Sequence, residues 1–81
     1  MKAVVTVTPK TSVLDPQGEA VRKAIHNLGM ECVSAVRIGK HIELEIEGND
    51  LEKTRSKLEN IARDLLSNPV IEDYRIELTQ N

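Results

Sequence analysis

Between residues 2 and 8 apolar and polar side chains alternate, with Ala3, Val5 and Val7 on one side, and β-branched types dominate. That pattern predicts a strand. From 16 to 28 the period changes: Ala20, Val21, Ala24, Ile25 and Leu28 fall on one helical stripe, and Gly29 follows as a C-terminal stop. Two further strands are predicted over 31–38 and 41–47, with Ile42, Leu44 and Ile46 alternating strictly with Glu43, Glu45 and Glu47. Gly39-Lys40 between them suits a two-residue type II′ hairpin turn. Gly48 then punctuates the chain, and Asn49 and Asp50 are alternative N-caps, Asn49 with Glu52 at capping-box spacing. Leu51, Leu58, Ile61, Ala62 and Leu65 recur at helical spacing to about residue 66. Asn68-Pro69 closes that helix, because a residue before proline avoids the α region. A last strand is predicted over 70–78, with Tyr74, Ile76 and Leu78 on one face, followed by a short polar tail.

The predicted order is β-α-β-β-α-β, the split pattern of α+β ferredoxin-like two-layer sandwiches. It implies one domain over 1–81, with a four-stranded antiparallel-type sheet and both helices on one face. Two helices cover only that face, so the other is wet or meets another chain. A turn at Gly39-Lys40 would pair Arg37 with Ile42 and give the uncovered face Val4, Val36, Ile38 and Ile71 among Thr6, Thr8 and Glu43. That patch suggests self-association, but one extra turn residue would reverse Val36 and Ile38.

Composition narrows the function more than the fold. A chain of 81 residues has a small core, and association is its remaining source of extra stability. The single cysteine excludes an internal disulfide and fits a reducing, cytoplasmic setting. A net charge of −2 argues against nucleic-acid and anionic-membrane surfaces. No apolar run exceeds Ala3-Val4-Val5, so no membrane span or signal peptide is expected. Tyr74 is the only aromatic residue, which leaves no platform for stacking RNA bases on strands.

Catalytic chemistry is hard to find. His26, His41 and Cys32 match no standard zinc spacing, and no Walker or Rossmann glycine loop occurs. The charged run from Glu52 to Arg63 reads as a solvated helix face, with Glu59 and Arg63 spaced for a modest pair. The unusual feature is the start of the first helix. Asp15 is a strong N-cap and Pro16 suits the first helical position, yet Gly18 lies in the first turn, where glycine costs roughly 1 kcal/mol against alanine. It suggests a close approach of another backbone or a ligand.

With Val13-Leu14-Asp15-Pro16-Gln17-Gly18 go Lys10, Arg37-Ile38-Gly39-Lys40 and Asn68-Pro69-Val70-Ile71-Glu72-Asp73-Tyr74. In that order and spacing the whole chain resembles the PurS family, the small subunit of multi-subunit phosphoribosylformylglycinamidine synthase. Thr6 and Pro9 depart from it, standing where the family more often has larger apolar or aromatic residues. The resemblance implies a subunit without an active site or bound cofactor in an ATP- and glutamine-dependent C–N ligase of purine biosynthesis. Mg-ATP would be used by the synthetase subunit PurL, and ammonia released by the glutaminase subunit PurQ. The small subunit would form a homodimer or higher oligomer, bridge the other two and support ammonia transfer to formylglycinamide ribonucleotide. Lys10, Asp15, Gln17, Gly18, Arg37, Lys40, Asn68 and Tyr74 are the interface candidates. An ACT-like regulatory module shares the element order and would use the same loop for an amino acid. An acylphosphatase-type enzyme needs an arginine in the loop after the first strand, which residues 8–18 lack.

Overall fold

The alternating segment at the start forms β1 (Lys2–Pro9), the middle strand of a three-stranded antiparallel sheet in the order β2-β1-β3. The computed structural model describes residues 1–11 and 14–79; Val13 of the helix-start motif and the tail residues Gln80 and Asn81 lie outside them. The other elements are α1 (Pro16–Asn27), β2 (Lys40–Glu45), α2 (Leu51–Ile61), continued by a wider turn over Ala62–Leu66, and β3 (Glu72–Thr79). Register puts Ala3 between Leu44 and Leu78, and Val5 between Ile42 and Ile76. All the alternating apolar residues therefore share one face. Ala3, Val5 and Val7 are fully buried there, Val5 and Val7 packing with Ala62, and Leu58 of α2 is buried as well. The opposite face carries Val4, Thr6 and Thr8 beside glutamates such as Glu43 and Glu77.

Asp50, not Asn49, caps α2, its carboxylate accepting from the Lys53 N–H at 3.0 Å. The helix widens at its end because both the N–H and the hydroxyl of Ser67 reach back to the Ala62 carbonyl, at 2.9 and 2.8 Å. Arg63 turns to Asp64 and Asn60 instead of Glu59, which accepts from the Tyr74 hydroxyl at 3.0 Å.

Two expectations are corrected. Residues 31–38 form no strand, so the described sheet has three strands instead of four. The cause lies at Gly39. Lys40 pairs with Val7, and a Cβ on Gly39 would stand 2.1 Å from the Val7 carbonyl oxygen. The chain thus enters β2 in line with it, pressed against β1, instead of reversing through a hairpin. Arg37 consequently never meets Ile42, and Val36 and Ile38 join neither sheet face.

The second correction concerns α1, which does not lie over the sheet. Ala20, Val21, Ala24 and Leu28 are exposed, Leu28 by 88%. Residues 33–38 run back beside this helix: Val36 meets Gly18, and the Val33 carbonyl lies 2.6 Å from His26 Nε2. Eight helical residues rise about 12 Å, and three residues from 33 to 36 reach about 10–11 Å at full extension, so the segment runs extended and the His26 side chain closes the remaining gap. Helix and returning segment form an arm. The Cα radius of gyration of 16.1 Å exceeds the roughly 12 Å of a compact chain of this length accordingly. No helix among the described residues is long and apolar enough to cross a membrane.

Candidate functional site

The arm is fastened where the chain leaves β1 and returns to β2, and the candidate residues concentrate there. Asp15 does two jobs. One carboxylate oxygen accepts from the Gly18 N–H at 3.0 Å and caps α1; the other accepts from the Ile38 N–H at 3.0 Å and ties the helix start to the returning segment. Gly18 is buried because the Val36 carbonyl oxygen occupies the space of a side chain, 2.2 Å from where a Cβ would stand. Its presence in a first turn follows from that close approach. Arg37 Nη1 donates to the Pro9 carbonyl at 3.3 Å. The Lys10 N–H donates to the Ile71 carbonyl at 2.9 Å, and its ammonium lies 4.0 Å from Asp73. Lys10, Leu14, Asp15, Glu19 and Arg37 line an open cleft of about 470 Å³.

Lys10, Asp15, Gly18 and Arg37 thus meet at one place. Gln17 stands next to them on α1, exposed, and Lys40 opens β2 with its side chain in solvent. Asn68 and Tyr74 lie apart. Asn68 accepts from the Val70 N–H at 3.1 Å and shapes the turn into β3, and Tyr74 packs its ring on the core. Both explain themselves by folding. His41 faces Glu43 at 3.2 Å, Cys32 is exposed, and the described residues include no cluster of three metal-ligating side chains. Glu19 pairs with Arg22 and Lys10 with Asp73 at the edge of the cleft, which Thr11 and Ser34 also line. It can hold and orient chains. The stripe Ala20, Val21, Ala24, Ile25 and Leu28 is legible in the sequence and its periodicity assigns it to the core, yet all of it but the half-buried Ile25 is exposed.

Hydrogen bonds from the Ile38 N–H first, then from Gly18, hold the Asp15 carboxyl below its ordinary pKa. A depressed folded value means stability that is present above the unfolded range near pH 4 and is lost as pH falls through the folded value. Asp15→Asn keeps a cap but turns an amide N–H₂ toward one of the two donors. In urea titrations at pH 7 it should lower the midpoint clearly, whereas Asp50→Asn should be nearly neutral. Wild type and Asp15→Asn should converge toward pH 2. Equal effects of the two substitutions at pH 7 would remove the tie to Ile38.

Comparison with known proteins gives one consistent picture. A family model described as PurS, phosphoribosylformylglycinamidine (FGAM) synthase, matches residues 2–80. The PurS subunit from Bacillus subtilis is 46% identical over 79 residues, which cover 98% of this chain and 93% of that subunit. A B. subtilis PurS crystal form superposes with a TM-score of 0.84 over 98% of both chains at 46% identity. PurS from Methanocaldococcus jannaschii, described as one of the subunits of formylglycinamide ribonucleotide amidotransferase in the purine biosynthetic pathway, gives a TM-score of 0.84 at 35% identity over 99% and 96%. A chain in the structure of PurLQS from Thermotoga maritima gives 0.82 at 32% identity, over 94% of this chain and 93% of that one.

Proposed function

The chain belongs to the PurS family of FGAM synthase, and from that premise we propose that it works as the bridging subunit of this purine-biosynthetic ligase, self-associated and seated between the synthetase and the glutaminase in the cytoplasm. The observation that carries the bridging is apolar surface left open on separate elements. Leu14 and Leu28 are each 88% exposed on the arm, and Ile61 and Leu65, at 43% and 77%, lie four residues apart at the end of α2. A small chain exposing large apolar side chains on two elements is built to be covered from two sides. One side receives a second copy; the other receives a different subunit, as the PurLQS assembly of the Thermotoga relative suggests.

No ligand chemistry is asked of this chain. Its contribution is to hold the glutaminase and synthetase subunits so that ammonia passes between them without meeting bulk water. Near neutral pH free ammonia is mostly protonated, and ammonium does not attack the amide carbon of formylglycinamide ribonucleotide. Lys10, Asp15, Gln17, Gly18, Arg37 and Lys40 supply or position the contact surface around the arm's base.

Gln17 tests this cleanly because it is exposed and its side chain has no hydrogen bond among those described. In the reconstituted three-subunit enzyme, Gln17→Ala should lower glutamine-driven synthesis about fivefold, the effect of losing roughly 1 kcal/mol of contact. Synthesis driven by added ammonium salt should change less than about twofold, since losses within ±0.5 kcal/mol are the norm away from an interface. An unchanged ratio of the two rates, with unchanged co-elution of the subunits in the presence of glutamine and Mg-ADP, would remove Gln17 from the coupling surface.

A further inference from the structure

Both carboxylates that line the cleft at the arm's base are already committed. Asp15 accepts from the Gly18 and Ile38 N–H groups, and Glu19 is held by the guanidinium of Arg22. The two cations that line it are not. Arg37 gives one N–H to the Pro9 carbonyl at 3.3 Å, and no carboxylate pairs with it among the described residues. Lys10 reaches Asp73 only at 4.0 Å, with both side chains open to solvent. Leu14, 88% exposed, Ala35 and the half-buried Val36 line the same cleft. Unneutralised cations thus share one depression with uncovered apolar surface.

Building on the bridging proposed above, we infer that this cleft receives an acidic segment of one of the two different subunits. A carboxylate of that segment sits on Arg37 and Lys10, and a neighbouring apolar side chain lies against Leu14 and Val36. Charge selects the sign of the occupant: a basic segment would meet both cations and find no uncommitted acid. Arginine presents its donors as a planar fork that matches a carboxylate through two parallel hydrogen bonds. The contact with Pro9 holds that fork in place, so little side-chain freedom is lost on docking. Shape selects a chain segment over a free metabolite. The cleft measures about 470 Å³ but is open, whereas small ligands are held where roughly 70–90% of their surface is buried. An extended segment needs cover on one side only, because its ends continue into its own fold.

Arg37→Gln tests this in the three-subunit enzyme reconstituted from whole chains, since glutamine keeps a donor for Pro9 and loses the charge. It should weaken binding of this chain to the other subunits about thirtyfold, the scale of a hydrogen-bonded charge pair broken at an interface. The urea midpoint of the isolated chain should not move. Arg75→Gln removes the same charge from the opposite face of the sheet, where Arg75 meets Glu77, and should weaken binding less than about threefold. Equal losses would overturn the site, as would an Arg37→Gln chain that binds like wild type. A wild-type chain that joins neither subunit would overturn the bridging itself. Carbodiimide, which joins an amine directly to a carboxylate, identifies the occupant. In the isolated chain Lys10 should couple to Asp73; in the complex, mass spectrometry should find it coupled to an aspartate or glutamate of a different subunit. Coupling in the complex to Asp73 alone, or to a second copy of this chain, would overturn the inference. Titration of the isolated chain with sodium aspartate should release no heat. Heat that Arg37→Gln abolishes would make the cleft a site for a free carboxylate and overturn the docked segment.

Discussion

Gly18→Ala is expected to destabilise the chain and to abolish its assembly with the other subunits, although alanine is the better helix former by roughly 1 kcal/mol. The two influences oppose each other, so the sign decides between them. Helix propensity alone makes the substitution stabilising. The structure puts the new Cβ 2.2 Å from the Val36 carbonyl oxygen and 2.7 Å from an Asp15 carboxylate oxygen. The first neighbour is backbone, and the second belongs to a carboxylate whose two oxygens are held by the Gly18 and Ile38 N–H groups, so neither can rotate aside. Relief requires that α1 part from the returning segment, which also breaks the bond from Ile38 to Asp15. Overpacking of this kind costs about 1–3 kcal/mol, enough to outweigh the gain in propensity. Gly18→Val should lie at the upper end or beyond. Urea midpoints, together with gel filtration of the reconstituted complex, check both. A raised midpoint for Gly18→Ala would show that the arm's base is loose.

The second large effect is expected in the core. Leu58→Ala removes the long side chain of α2 that is buried, at 4% exposure. A leucine truncated at such a site costs about 2–5 kcal/mol. A chain of 81 residues has roughly 4–12 kcal/mol in all, so a substantial share of the stability, from about a sixth to all of it, should disappear. Thermal or urea unfolding of the isolated chain measures it, with Leu65→Ala as the control. Leu65 is 77% exposed, and its truncation should stay within about 0.5 kcal/mol in the isolated chain. The order should invert in the assembled enzyme if the end of α2 is a contact surface: Leu65→Ala would then weaken co-elution while Leu58→Ala, once folded, would not.

The residues at the arm's base were legible one by one and not as a site. Asp15 reads as a cap in the sequence, and it is one; that its second oxygen holds Ile38, 23 positions away, has no local signature. Gly18 announced a close approach because a glycine in a first turn is locally unfavourable, but the approaching group, the Val36 carbonyl, is decided by the tertiary structure. Asn68 and Tyr74 were read together with the others, yet their contacts are those of a turn and a core ring. Gly39 suited a hairpin by residue type and serves a close passage instead, since glycine permits both and the pattern of neighbours does not distinguish them.

The family, both helices, the three strands of the sheet and its inner face were determined by the sequence itself, whereas the strand expected over 31–38 was not formed. Ala3, Val5, Val7, Ile42, Leu44, Tyr74, Ile76 and Leu78 alternate, and alternation dictates which side of a strand is apolar whatever its partners. Helix ends followed likewise from Asp15, Gly29, Asp50 and Pro69, whose effects act within a turn of the backbone. Tertiary structure alone decided where α1 goes. Its stripe of Ala20, Val21, Ala24 and Leu28 calls for an apolar cover, but burial is non-directional and roughly proportional to area, so the stripe is satisfied equally by its own sheet or by another chain's. The choice was made at Gly39 and Asp15, where a straight passage and two hydrogen bonds hold the arm away from the sheet it was patterned to cover.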